Sequence, residues 1–215
     1  MTTRREAPQA TWPMVHAARG ALVSDLERLQ PAQWGHPTLC DDWDVRHVTA
    51  HLTAAASTGR WSWLRSIAAA RFRPDVHNDR RLQEHLGGST EDTLGRFRAV
   101  VDATVAPTGD IAAWLGEVVV HAEDIRRPLG LEDTSDADAV AAVAAFFAAR
   151  DFAVPSRSRT KGLQLHATDS PFHSGTGPLV EGPTLSLVMV MAGRRSHLDG
   201  LTGAGVDQLA GRLED

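Results

Sequence analysis

Apolar side chains recur at helical spacing through the first two thirds of the chain. Val15, Leu22, Leu26 and Leu29 stand 7, 4 and 3 residues apart within Met14–Gln30, which puts them on one face of a helix. Pro31 stops that helix, and residues 31–42 read as a connector. Asp44 offers a carboxylate to the free N–H groups at the start of a second helix. This helix carries Val45, Val48 and Leu52 to about Ser57, with an extension through Trp61, Trp63, Leu64 and Ile67 left open. The segment Arg73 to Gly88 is polar and defines no element. A third helix is predicted from about Thr90 to Val105, ending before Pro107. A fourth runs from about Asp110 to Arg127, closed by Pro128 and Gly130, and an Ala-rich fifth from Ser135 or Asp136 to Phe152.

The pattern changes after Pro155. Ser156 to Thr160 reads as a linker. Leu163, Leu165 and Ala167 alternate with polar residues as in a strand, and a second short strand is expected at Leu179 to Glu181. Leu185–Met191 and Val206–Leu213 read as helices. The pattern therefore predicts a mainly α protein, with a helical domain over residues 1–153 and a small α+β domain over residues 154–215.

Composition narrows the function classes. A net charge of -5, with no basic patch interleaved with aromatics, gives no reason to expect nucleic acid as a partner. The longest apolar stretch, Ala139 to Ala149, is 11 residues, whereas a membrane-spanning helix needs about 20. The polar N-terminus has no apolar run of the kind a secretory signal requires. Cys40 is the only cysteine, so no internal disulfide forms, and a reducing cytoplasm is the expected location. Lys161 is the only lysine among 22 basic residues, a bias typical of GC-rich genomes.

Two pairs carry the candidate chemistry. Glu117 and His121 stand one turn apart on the fourth helix, and His47 and His51 one turn apart on the second, so each pair shares a face. Metal sites in helical bundles are built from such inward-facing pairs on different helices. Two imidazoles and a carboxylate suit zinc in a site that keeps a position open for water or substrate. Taken alone, a Glu-x-x-x-His on a helix is usually a solvated or salt-bridged face. Here Trp114, Leu115, Val118, Val119 and Val120 surround Glu117, and a carboxylate in apolar surroundings needs a partner. Cys40 has two readings, a reactive thiol near a helix start and a small buried side chain in the connector, and the second is favoured. Asp124 shares the His121 face and could orient its imidazole, or it could pair with Arg126 or Arg127. Arg194 is read either as a carboxylate-binding group or as an exposed residue at a helix end.

The stretch from Pro37 to Leu52, with Pro37-Thr38-x-Cys40-x-x-Trp43 leading into Ala50-His51-Leu52, resembles the opening motif of the mycothiol-dependent maleylpyruvate isomerase family. The block from Gly116 to Gly130 is similar to that family's second ligand helix. Ala167-Thr168-Asp169, Gly175-x-Gly177-Pro178 and Ala192-Gly193-Arg194 resemble its small C-terminal domain. The resemblance spans nearly the whole chain. It implies a DinB-like four-helix bundle followed by a small α+β domain, a metal triad of His51, Glu117 and His121, zinc or another divalent metal, and mycothiol, the small thiol of actinobacteria. One departure stands out. The family commonly caps the second helix with Thr and places an acidic residue three positions later, where this chain has Asp44 and His47.

The implied chemistry is attack of a metal-activated thiol on a small electrophile. As an isomerase, the thiol adds to a conjugated cis double bond, the bond rotates, and elimination returns the trans isomer. As a transferase, the conjugate is released. Arg194 is the candidate catalytic side chain. The alternative of another class is a non-catalytic metal-binding module, a sensor or stress-related scaffold, in which a protein ligand such as His47 fills the open position.

Overall fold

The computed structural model describes residues 9–40, 43–57, 82, 84–105 and 109–213. Packing divides them into two compact units, one of Thr11–Thr134 and one built on Ser135–Asp215. The sequence places the boundary near residue 153 instead. The difference is the Ala-rich fifth helix, which buries Ala139 to Ala144, Phe146 and Phe147 and packs against the helices and sheet of the second unit. The mainly helical architecture expected from the sequence is observed, and no described helix is long and apolar enough to cross a membrane.

The first unit holds α1 (Trp12–Glu27), α2 (Val45–Ser57), α3 (Thr90–Arg98) and α4 (Ile111–Leu129), with a 3-10 turn at Pro31–Gly35. α1 packs on α4, α4 on α2, α2 on α3, and α3 back on α1. Among the described residues, that closed ring is a four-helix bundle. Its core holds Val15, Leu22, Leu26, Val45, Val48, Leu52, Phe97, Leu115, Val118 and Ile125, each at most 2% exposed. Burying a side chain of this size contributes about 1.5–3 kcal/mol, so the apolar faces read from the sequence supply the force that closes the bundle. The proposed extension of α2 through Trp61 and Trp63 lies outside the described residues.

Three local features set the helix ends. The Asp44 carboxylate accepts the His47 backbone N–H at 2.8 Å, so the N-terminal cap of α2 forms as expected. α3 ends at Arg98, short of the predicted Val105, because the chain tightens into turns at Val100, Val101 and Ala103. There the buried Arg19 guanidinium of α1 donates to the carbonyls of Val100, Val101 and Ala103, and burial lowers its pKa to about 10. α4 continues through Pro128 to Leu129 and ends at Gly130, whose φ of 63° is left-handed and costs glycine least.

The second unit holds α5 (Ala137–Ala149), α6 (Ser156–Thr160), β1 (Gln164–Ala167), β2 (His173–Gly175), β3 (Leu179–Gly182), α7 (Thr184–Met191), a 3-10 turn at Arg195–Gly200, and α8 (Val206–Gly211). The sheet order is β2-β1-β3, with β1 antiparallel to β2 and parallel to β3. The segment read as a linker, Ser156–Thr160, is a short helix, held where the Ser156 hydroxyl donates to the Phe147 carbonyl at 2.9 Å. The motif residues here have structural roles. Asp169 accepts the Thr184 backbone N–H at 2.9 Å, capping α7. A Cβ on Gly177 would collide with the Gly162 carbonyl, and its φ of 134° is open mainly to glycine.

Candidate metal centre

α2 and α4 are neighbours in the ring, and the Glu117–His121 pair of α4 meets His51, one member of the predicted pair on α2. His51 on α2 meets Glu117 on α4, with Nε2 3.0 Å from Oε1. His121, one turn along α4, brings its ring to 5.0 Å from the His51 ring at an interplanar angle of 78°. One ligand atom from each of His51, Glu117 and His121 lies within 4.8 Å of the others. Two imidazole nitrogens and a carboxylate oxygen so placed match the donor set of a zinc site with one position left open. The three side chains are partly covered, at 14%, 29% and 11% exposure.

His47 does not join them. Its Nδ1 lies 2.6 Å from Asp44 Oδ1. Asp44 caps the backbone and holds His47 at the helix start.

A second group meets at His121 Nδ1, where Cys40, His121 and Asp124 also bring one ligand atom each within 4.8 Å of the others. Asp124, fully buried, places Oδ2 2.9 Å from His121 Nδ1. The Cys40 thiol donates to the same oxygen at 2.9 Å, and its Sγ is 3.4 Å from His121 Nδ1. The reading of Asp124 as the residue that orients His121 therefore has its geometry. Cys40, favoured from the sequence as a small buried side chain, is a member of the site. The signal that could have found it is Pro128. Proline has no N–H, so the carbonyl four residues earlier loses its helical partner, and that carbonyl belongs to Asp124. The Leu39 backbone N–H takes it at 3.1 Å, tying the connector to α4 and placing Cys40 beside His121.

The connector is braced from within. The Thr38 hydroxyl donates to the Trp43 carbonyl at 2.7 Å and accepts the Cys40 N–H at 3.1 Å, while the Trp43 N–H reaches the Cys40 carbonyl at 2.7 Å. This turn sets the Trp43 ring 4.9 Å from the His51 ring and 6.5 Å from that of His121. The Pro-Thr-x-Cys-x-x-Trp pattern thus builds one wall of the centre.

The electrostatics favour a cation. Burial by itself pulls the His121 imidazole down, but the Asp124 hydrogen bond, the Cys40 contact and the Glu117 charge reverse this and raise it to about 10. The acidic groups around His121 stabilise positive charge at this place.

Arg194 belongs to the second unit. Its guanidinium donates to the Ala192 carbonyl at 3.3 Å. It sits close enough to Arg159 that burial and the Arg194 charge together lower the Arg159 pKa. It stands just past the end of α7, as one reading of the sequence has it, but is half-buried and not exposed.

Comparison with known proteins gives a consistent answer. Residues 15–126 match the family described as the mycothiol maleylpyruvate isomerase N-terminal domain, and residues 134–212 match the C-terminal domain of the same proteins. Two solved structures resemble the chain. One is a mycothiol-dependent maleylpyruvate isomerase carrying a histidine-to-alanine substitution, 16% identical with a TM-score of 0.63. The other is the isomerase without that substitution, 19% identical with a TM-score of 0.52. Each alignment covers 90% of this chain and 91% of the other. At these identities the likeness is one of fold. No curated protein matches the sequence significantly.

Proposed function

The chain belongs to the mycothiol maleylpyruvate isomerase family, and on that premise we propose that it is a zinc-dependent enzyme that uses mycothiol on a small electrophilic substrate. The observation that carries the reading is the convergence of His51, Glu117 and His121 from two facing helices. These three side chains would hold the ion. A divalent ion bound there lowers the pKa of a thiol in its open position, so that thiolate is present at neutral pH.

The protein's own residues supply the rest. Glu117 brings a negative charge that offsets part of the ion's charge. Asp124 and Cys40 keep His121 turned toward the ligand cluster. Trp43 screens one side of the centre from water. Arg194 is proposed to bind a substrate carboxylate through paired N–H groups. Because His47 is held by Asp44, it does not supply a fourth ligand, and this supports an open position for the thiol over a closed structural site.

Isomerase and transferase share these groups and differ in what leaves. In the isomerase the thiol adds to one carbon of the cis double bond as a proton goes to its neighbour. The single bond rotates, and loss of the same thiol and proton restores the double bond as trans. In the transferase the adduct is the product. Incubating the zinc-loaded protein with mycothiol and a cis-configured unsaturated keto acid separates the two. A trans product with mycothiol undiminished is the expected result. Conversion of mycothiol into a conjugate, one per substrate consumed, identifies the transferase. Neither product, across a panel of such electrophiles, removes the enzyme reading.

A further inference from the structure

We propose that Asp124 and Cys40 are positioning residues that fix which nitrogen His121 presents to the metal, an inference that rests on the metal-centre reading above. The geometry carries it. His121 Nδ1 faces Asp124 Oδ2 at 2.9 Å, and Asp124 has 0% exposure, so its carboxylate is shut off from water and must be satisfied by protein donors. With Nδ1 donating its hydrogen there, the lone pair of a neutral imidazole resides on Nε2, which is the atom left to bind an ion. Cys40 adds a second donor to the same oxygen. That contact holds Oδ2 toward His121.

The arrangement is set by backbone as well as by side chains. Pro128 frees the Asp124 carbonyl, Leu39 N–H occupies it at 3.1 Å, and the connector thereby brings Cys40 within reach of the Asp124 carboxylate. One residue of α4 thus anchors the turn through its backbone and orients the ligand through its side chain. Carboxylates behind metal-bound histidines typically raise metal affinity by about 10–100-fold.

The test compares full-length wild type with Asp124→Asn, Cys40→Ala and Cys40→Ser. Zinc affinity is measured by competition with a chromophoric chelator, and the His121 ring proton by 15N-edited NMR of the metal-free protein. Asp124→Asn is expected to weaken zinc by about 10–100-fold. Cys40→Ala is expected to weaken it by a smaller factor that Cys40→Ser restores, because serine returns the donor. The Nδ1 proton, slow to exchange in wild type and Cys40→Ser, should exchange rapidly in Asp124→Asn. Wild-type zinc affinity in Asp124→Asn, or an unchanged Nδ1 proton, would overturn the proposal. If wild type binds no zinc, the metal reading fails, while the NMR comparison still decides whether Asp124 and Cys40 fix the His121 ring.

Discussion

Replacing His121 with alanine should strip the protein of its metal. Wild type is expected to carry about one divalent ion per chain by elemental mass spectrometry, and His121→Ala close to none. Three protein ligands make the catalytic form of a zinc site, so losing one leaves two, His51 and Glu117, on neighbouring helices. The substitution also removes the imidazole to which Asp124 and Cys40 are hydrogen-bonded. Two acidic groups then share a partly buried space with no cation. A modest loss of stability is therefore expected beside the loss of metal, and circular dichroism should show the helical content retained. Glu117→Gln keeps size and shape while removing the charge, and should also lose the metal. Metal retained in both variants would remove the triad.

The second large effect concerns stability. Asp25→Ala should destabilise the first unit by about 3–5 kcal/mol, the usual cost of removing one partner of a buried ion pair. Asp25 on α1 accepts Arg126 Nε and Nη2 on one carboxylate oxygen, each at 2.7 Å, and both side chains are 2% exposed. The other oxygen accepts Arg28 at 2.6 Å. Without Asp25, the Arg126 charge stays buried, with Asp133 at 3.8 Å among the acidic groups that remain near it. A distance of that length does not replace two direct hydrogen bonds. Because Arg126 lies five residues beyond His121 on α4, the pair also fixes the ligand helix against α1. Urea unfolding measures the effect, and a double-mutant cycle with Arg126→Met checks its origin. The double variant should be no less stable than Asp25→Ala, since it removes the stranded charge. Additive losses would assign the effect to packing.

The bundle was legible because its helices are amphipathic and capped. Val15, Leu22 and Leu26 mark α1, Asp44 caps α2, and Gly130 ends α4, each a local rule that the packing obeys. The Glu117–His121 pair was legible for a related reason: an i, i+4 spacing fixes a shared face before any tertiary contact exists, whereas His51 as the third proposed ligand came from the family resemblance. What was lost lies where structure depends on distant partners. β2 has no apolar alternation, and His173, Ser174 and Gly175 become a strand only by pairing with β1. The Ala-rich helix is apolar on nearly every side, so the sequence says that it must be covered and is silent on which unit covers it. Cys40 is isolated in sequence from Asp124 by 84 positions, and its place follows from a carbonyl that Pro128 leaves open. The family's C-terminal motifs could be recognised, but their roles at Asp169 and Gly177 in capping and close approach emerge only when the chain is folded.

Titration of mycothiol into the protein, zinc-loaded, stripped by chelation and then reloaded, tests the proposed function most directly. Binding to the loaded protein, its loss on stripping and its return on reloading are the expected results. Equal binding to the loaded and stripped forms, or none to either, would contradict a metal centre built to hold the thiol.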